Sequence, residues 1–136
     1  MLITKRVEFS ASHVCRNANL TDEENIRLFG AAANPRGHGH NYILDVTLEG
    51  EPDPTTGMVM DLKELKEILQ REILDPFDHR SLNHEVPPFD QIVPTAENVA
   101  IEIWKRLSAS LKPGAAKLHG VRVYETSDLY VEYLGE

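Results

Sequence analysis

The chain has 136 residues, the size of one ordinary domain, and its 41% hydrophobic and 26% charged residues exclude a disordered tail or a collagen-like rod. A net charge of −8 argues against a nucleic-acid partner, and no apolar run approaches the roughly 20 residues that span a bilayer. The single cysteine, Cys15, allows no internal disulfide, and the charged start does not resemble a signal peptide, so we expect a cytoplasmic protein.

Alternating apolar and polar residues predict four long strands and one short one. In the first strand the odd-numbered side chains, such as Val7 and Phe9, share an apolar face. In the second strand the even-numbered side chains from Tyr42 to Leu48 do the same. The predicted strands cover residues 2–12, 38–48, 58–60, 118–125 and 129–134.

Capping signals predict three helices between these strands. Thr21 and Glu24 have the spacing of a capping box, in which each side chain accepts from the other's backbone N–H. The helices are expected to begin after Thr21, Asp61 and Thr95 and to end near Gly30, Pro76 and Pro113.

This order of elements predicts one α+β domain over residues 1–136, with a four-stranded antiparallel sheet and two main helices on one face. No repeat, low-complexity segment or linker divides the chain. The other face of the sheet would stay uncovered, which favours a homo-oligomer.

Histidines are the chemically distinctive residues of the chain, which has six of them. His38 and His40 lie two apart on a predicted strand, so both imidazoles project from one face and can bind one cation. His13, at the end of another strand, could supply a third nitrogen. Three neutral imidazoles suit Zn²⁺ and leave its fourth position open, as in catalytic sites. Two hydrogen-bonded histidines near a turn would give the same pattern.

Two further positions carry candidate acid–base or binding groups. On a loop, Asp78 could orient His79 as a general base, although a turn residue beside a surface histidine explains the pair equally simply. Glu125 falls where the alternation of Val121 and Val123 predicts an apolar residue. A ligand with two parallel N–H groups would pair that carboxylate, whereas exposure at the strand end would make a partner unnecessary.

At these residues the sequence closely resembles the 6-pyruvoyl-tetrahydropterin synthase family. The resemblance covers essentially the whole chain without a large gap. The stretches that carry it are Phe9-Ser10-Ala11-Ser12-His13, Asp22-Glu23-Glu24-Asn25, Leu28-Phe29-Gly30, Gly37-His38-Gly39-His40-Asn41-Tyr42, Gly57-Met58-Val59-Met60, Asp78-His79, Thr95-Ala96-Glu97-Asn98-Val99-Ala100 and Val123-Tyr124-Glu125-Thr126.

The resemblance implies a tunnelling fold, in which trimers close a twelve-stranded barrel and two trimers stack into a hexamer with active sites at subunit interfaces. It implies Zn²⁺ on His13, His38 and His40. The implied substrate is a small molecule, 7,8-dihydroneopterin triphosphate, whose side chain undergoes an internal redox rearrangement with elimination of triphosphate. Mg²⁺ is often associated with this activity through the triphosphate, and no residue here gives it a site.

The resemblance also implies roles for individual residues. Asp78 and His79 match the family's proton-relay pair. Glu125 matches its pterin anchor, which accepts from the amino-pyrimidinone edge, and Glu97 matches a second glutamate of the pocket. Thr95 matches one member of a threonine pair whose other position is Ala96 here.

The chain departs from the family at one catalytic position. The family carries a cysteine a few residues before its Gly-His-Gly-His motif, and that position is Ala32 here. A methyl group cannot transfer a proton, so one acid–base group is missing. An engineered Cys→Ala change would account for this, as would a substitute thiol at Cys15, or a natural member that binds pterins without converting them.

The alternatives for function follow from the same residues. The 6-carboxy-tetrahydropterin synthase of queuosine biosynthesis shares fold, metal and substrate, but that branch usually has a shorter span between the first histidine and Gly-His-Gly-His. The helix predicted after Thr21 lengthens this span and favours the pyruvoyl branch. A non-catalytic pterin-binding module is the rival from another class, and a structural zinc protein would normally close its site with a fourth protein ligand.

Overall fold

The computed structural model describes residues 1–114 and 116–136. Its strands are β1 (Leu2–His13), β2 (His38–Glu49), β3 (Arg80–Ser81), β4 (Lys117–Thr126) and β5 (Leu129–Tyr133). Its α-helices are α1 (Asp22–Phe29), α2 (Leu62–Leu69), α3 (Asp75–Phe77), α4 (Leu82–Glu85) and α5 (Ala96–Ser110).

The sheet has the strand order β3-β1-β2-β4-β5 and is antiparallel except for β3, which pairs in parallel with β1. The α+β class and the mostly antiparallel sheet are therefore confirmed, and all four long strands lie where the alternation predicts them. The sheet has five strands and not the predicted four, because the two-residue strand β3, too short to show an alternation, pairs with the edge of β1. The short strand expected at 58–60 is wrong. Met58 accepts from the N–H of Asp53 at 2.9 Å, and Val59 and Met60 form a bend that leads directly into the helix cap at Asp61, so these residues do not pair with a strand.

The helix caps follow the sequence closely. Thr21 Oγ1 accepts from Glu24 N at 3.1 Å and Glu24 Oε1 accepts from Thr21 N at 3.1 Å, so the predicted capping box is present. Pro76 does not stop the second helix as expected. A π-helical segment, Gln70–Leu74, follows α2, and Pro76 then lies in the first turn of α3, where its missing N–H is not needed.

The core lies between one face of the sheet and the helices. Antiparallel pairing places Val7 opposite Leu44 and Phe9 opposite Tyr42, so the apolar faces of β1 and β2 coincide. The helical side chains that pack against this face include Leu65, Leu69, Ile103 and Leu107, all at most 1% exposed.

The opposite face of the sheet is polar. Arg6 donates to both carboxylate oxygens of Asp45, at 2.7 and 2.9 Å, and Arg122 donates to Glu132 at 2.9 Å. Within the described residues, no helix has the length and apolar character to cross a membrane. The metal-ligand candidates lie at one end of the sheet, where β1 ends and β2 begins.

Candidate metal centre

Three histidines converge at this end of the sheet. The register of β1 and β2 puts His13 directly opposite His38, and His40 follows two residues later on the same face. One ring nitrogen from each histidine lies within 4.8 Å of the other two, and His13 Nε2 is 3.0 Å from His38 Nε2. The structure thus brings together the three histidines that the sequence predicts.

The protonation of His13 is set by the backbone. Its Nδ1 lies 2.7 Å from the carbonyl oxygen of Pro94, and since a carbonyl can only accept, Nδ1 carries the proton. The lone pair of Nε2 therefore faces His38. Burial also lowers the pKa of His13, which favours the neutral form that binds a metal.

His40 gives a second indication of a metal-binding site. Its Nε2 is buried and has no hydrogen-bond partner among the residues the structure describes. A buried polar atom without a partner is costly, and a metal ion would satisfy it. Burial lowers the pKa of His40 too. Neutral imidazole nitrogens at this spacing fit Zn²⁺.

Cys15 lies behind His13 rather than beside the metal-binding nitrogens. Its Sγ is 3.9 Å from His13 Nδ1, the atom that faces Pro94, and the hydroxyl of Tyr42 is 3.4 Å from the same nitrogen. Burial raises the pKa of the Cys15 thiol to about 11. The backbone N–H of Cys15 donates to the carbonyl of Ala32 at 2.8 Å, so the two positions are neighbours. This geometry speaks against Cys15 as a substitute for the missing thiol.

Glu125 lies at the edge of the histidine cluster. One carboxylate oxygen is 3.5 Å from His40 Nε2, and its side chain is 23% exposed. The register between β4 and β5 shifts between Tyr124 and Thr126, which makes Glu125 the irregular residue of that ladder. Such bulges commonly re-aim a side chain toward a site. Glu125, the residue that breaks the apolar alternation of β4, therefore places its carboxylate beside the histidine cluster.

Asp78 and His79 form the pair that the sequence suggests. His79 Nδ1 lies 3.1 Å from Asp78 Oδ1, and the loop is fixed to β1 because Asp78 Oδ1 accepts from Ser10 N at 2.8 Å. His79 adopts a left-handed φ of 61°, and its side chain is 83% exposed. An open groove of about 560 Å³ is lined by His79 and by His40, the member of the histidine cluster that reaches it.

The hydrogen bond from Ser10 to the Asp78 carboxylate makes the free energy of unfolding depend on pH. The N–H of Ser10 holds the pKa of the Asp78 carboxyl below its usual range. The charged carboxylate therefore stabilises the fold above about pH 4, and this contribution is lost as the pH falls through the lower pKa of the folded state. Asp78→Asn should lower the free energy of unfolding in urea at pH 7. The difference from the parent chain should shrink below pH 4, and a difference independent of pH would contradict the assignment.

Thr95 and Glu97 lie at the start of α5, near the histidines. Thr95 Oγ1 accepts from Asn98 N at 3.3 Å and so caps the helix, while Glu97 is exposed in the first turn. Sequence reasoning missed the preceding carbonyl of Pro94, since a backbone acceptor leaves no sequence signal. It also treated Tyr42 only as a core residue.

Comparison with known proteins gives a consistent family. The family model for 6-pyruvoyl tetrahydropterin synthase matches residues 2–136. The chain is 48% identical to human 6-pyruvoyl tetrahydrobiopterin synthase over 98% of this chain and 91% of the human protein. The Dictyostelium discoideum protein of that name is 40% identical, over 100% and 97% of the two chains. The solved Caenorhabditis elegans 6-pyruvoyl tetrahydropterin synthase superposes with a TM-score of 0.94 at 39% identity, over 100% and 96%.

Proposed function

The chain belongs to the 6-pyruvoyl tetrahydropterin synthase family, and we propose on that premise that it is a zinc-dependent synthase for 7,8-dihydroneopterin triphosphate. It would convert this substrate to 6-pyruvoyl-tetrahydropterin with release of triphosphate, which makes it a carbon–oxygen lyase. The observation that carries the proposal is the cluster of His13, His38 and His40, with one Nε2 left unpartnered and another unprotonated.

In this proposal the three histidines hold Zn²⁺. A metal held there would supply Lewis-acid chemistry, which polarises the side-chain oxygens of a bound substrate and makes the neighbouring C–H bonds more acidic. The carbonyl of Pro94 keeps the His13 ring in the tautomer and orientation that binding requires, as such outer partners do at metal sites.

Asp78 and His79 would move the protons. Asp78 Oδ1, 3.1 Å from His79 Nδ1, would hold the proton of the imidazole on that nitrogen and leave the lone pair of Nε2 to accept a proton from the substrate. Asp78 stabilises the imidazolium that results. The groove that His79 and His40 both line is where a substrate would meet the two sets of groups.

Glu125 would anchor the pterin, with Glu97 and Thr95 as further pocket residues. Its carboxylate accepts no hydrogen bond from any residue within 1–114 or 116–136, so it is available to the N–H groups of a ligand. We further propose a homohexamer of two stacked trimers in the cytoplasm, with Mg²⁺ accompanying the triphosphate. The exposure of His79 is consistent with a site that a second subunit completes.

Two alternatives share this site. A 6-carboxy-tetrahydropterin synthase would use the same metal and substrate, and the span that contains α1 favours the pyruvoyl product. A non-catalytic pterin-binding member is favoured by one specific observation, the methyl group of Ala32 where the family has a thiol.

The test is to incubate the zinc-loaded chain with 7,8-dihydroneopterin triphosphate and to identify both products by mass spectrometry. Triphosphate with 6-pyruvoyl-tetrahydropterin supports the proposal, and 6-carboxy-tetrahydropterin supports the first alternative. If the parent chain and an Ala32→Cys chain both bind the pterin tightly and neither releases triphosphate, the result supports the non-catalytic pterin-binding member.

Glu125→Gln should weaken pterin binding by roughly 10- to 150-fold, because a hydrogen bond to a charged group contributes about 1.5–3 kcal/mol. Fluorescence titration of the zinc-loaded chain with neopterin measures this. Glu8→Gln is the matched control, since Glu8 is an exposed residue of β1 far along the strand from His13. Equal affinity of the Glu125 variant and the control would refute the anchoring role.

A further inference from the structure

Glu125 stands in an unusual relation to the histidine cluster. The distance of 3.5 Å from its Oε1 to His40 Nε2 joins a carboxylate to a nitrogen that has no hydrogen-bond partner in the described part of the chain. Their geometry does not make a hydrogen bond, so the two atoms face one another across a space without bonding. When His40 Nε2 carries no proton, its lone pair and the carboxylate repel one another, and a cation between the two atoms would remove that repulsion.

The spacing is that of two ligands on one metal ion. With bonds of about 2.0–2.1 Å to a tetrahedral Zn²⁺, any two ligand atoms lie about 3.3 Å apart. The observed distances are 3.0 Å between His13 Nε2 and His38 Nε2, and 3.5 Å between His40 Nε2 and Glu125 Oε1. Both are close to that value.

Glu125 is nevertheless outside the set of groups whose ligand atoms all lie within 4.8 Å of one another. Its carboxylate is therefore at ligand distance from one histidine and must turn to reach the others. Nothing in residues 1–114 and 116–136 holds it by a hydrogen bond, and its side chain keeps 23% of its surface exposed, so neither a hydrogen bond nor full burial fixes its orientation.

We propose that Glu125 is a displaceable fourth metal ligand. Without substrate its carboxylate turns onto the metal held by His13, His38 and His40 and occupies the open coordination position. An incoming pterin displaces it, because the substrate offers both an oxygen for the metal and N–H groups for the carboxylate. The inference rests on the proposed function in requiring that the three histidines bind a metal and that the displacing ligand is a pterin.

The experiment uses Co²⁺ as a spectroscopic substitute in the whole chain without any substrate. Glu125→Gln should shift the visible d–d bands of the cobalt-loaded chain and weaken its Co²⁺ affinity by at least about 10-fold. Changing a residue that only hydrogen-bonds a metal ligand already lowers metal affinity by about 10- to 100-fold. Glu8→Gln should leave both unchanged. Adding acetate to a Glu125→Ala chain should restore the parent spectrum, and circular dichroism shows that each variant is folded.

Identical spectra and affinities in the parent and the Glu125→Gln chain would overturn the inference while leaving the metal site and the proposed function intact. Failure of the parent chain to bind Co²⁺ or Zn²⁺ would overturn both. A further supporting result is a spectral change when neopterin is added to the parent chain, toward the spectrum that the Glu125→Gln chain shows with the same ligand.

Discussion

Ala32→Cys should raise the rate of triphosphate release from 7,8-dihydroneopterin triphosphate by at least about 100-fold, the lower end of what a positioned acid–base group contributes. Ala32 lies in the 3₁₀ turn Gly30–Ala33, and its carbonyl accepts from Cys15 N, so the backbone there is fixed beside the strand that carries His13. Ala32 is half-buried, so we expect this turn to accept a thiol at its Cβ.

The assay compares four zinc-loaded chains: the parent, Ala32→Cys, Cys15→Ala and the double variant. Because Cys15 Sγ approaches His13 Nδ1 and not Nε2, removing it should leave the rate unchanged in both backgrounds. An active parent chain that Cys15→Ala silences would instead establish Cys15 as the working thiol. Absence of turnover in all four, with zinc bound, would favour the pterin-binding module.

The sequence was a good guide wherever short-range patterns decide the structure. The capping box of Thr21 and Glu24 depends on a spacing of three residues, and the inward face of β2 depends on alternation, so both could be predicted locally. The pairing of His13 with His38 depends on strand register, which the His-x-His pattern suggests and does not determine.

The sequence was a poor guide where tertiary contacts decide. The two residues of β3 pair with β1 because the loop before them is fixed by Ser10 and Asp78, a contact across 68 positions. Pro76 is tolerated in a helix because a π-helical segment precedes it, and no local rule predicts that segment. Cys15 lies two residues after His13, and this spacing does not tell which ring nitrogen of His13 its sulfur approaches.

His38→Ala should lower the zinc affinity by more than about 100-fold and leave the chain folded. Two histidines remain after the change, and losing a direct ligand costs more than the 10- to 100-fold effect of changing an outer partner. We expect folding without the metal, since the core between the sheet and helices α2 and α5 is made of apolar side chains such as Phe9, Leu69 and Ile103, and the three histidines are not part of it. Metal content after dialysis and thermal unfolding with and without Zn²⁺ measure the two effects.

The same measurement separates a catalytic from a structural zinc site. In the parent chain, zinc that binds only the folded state should raise the melting temperature as its concentration rises, and this rise should vanish in His38→Ala. After chelation, the parent chain should unfold cooperatively at the same temperature as the His38→Ala chain. We expect it to stay folded because the hydrogen bond between His13 and Pro94 does not require the metal. Unfolding on chelation would mean that the ion carries folding free energy, as in structural sites, and would count against an open catalytic position.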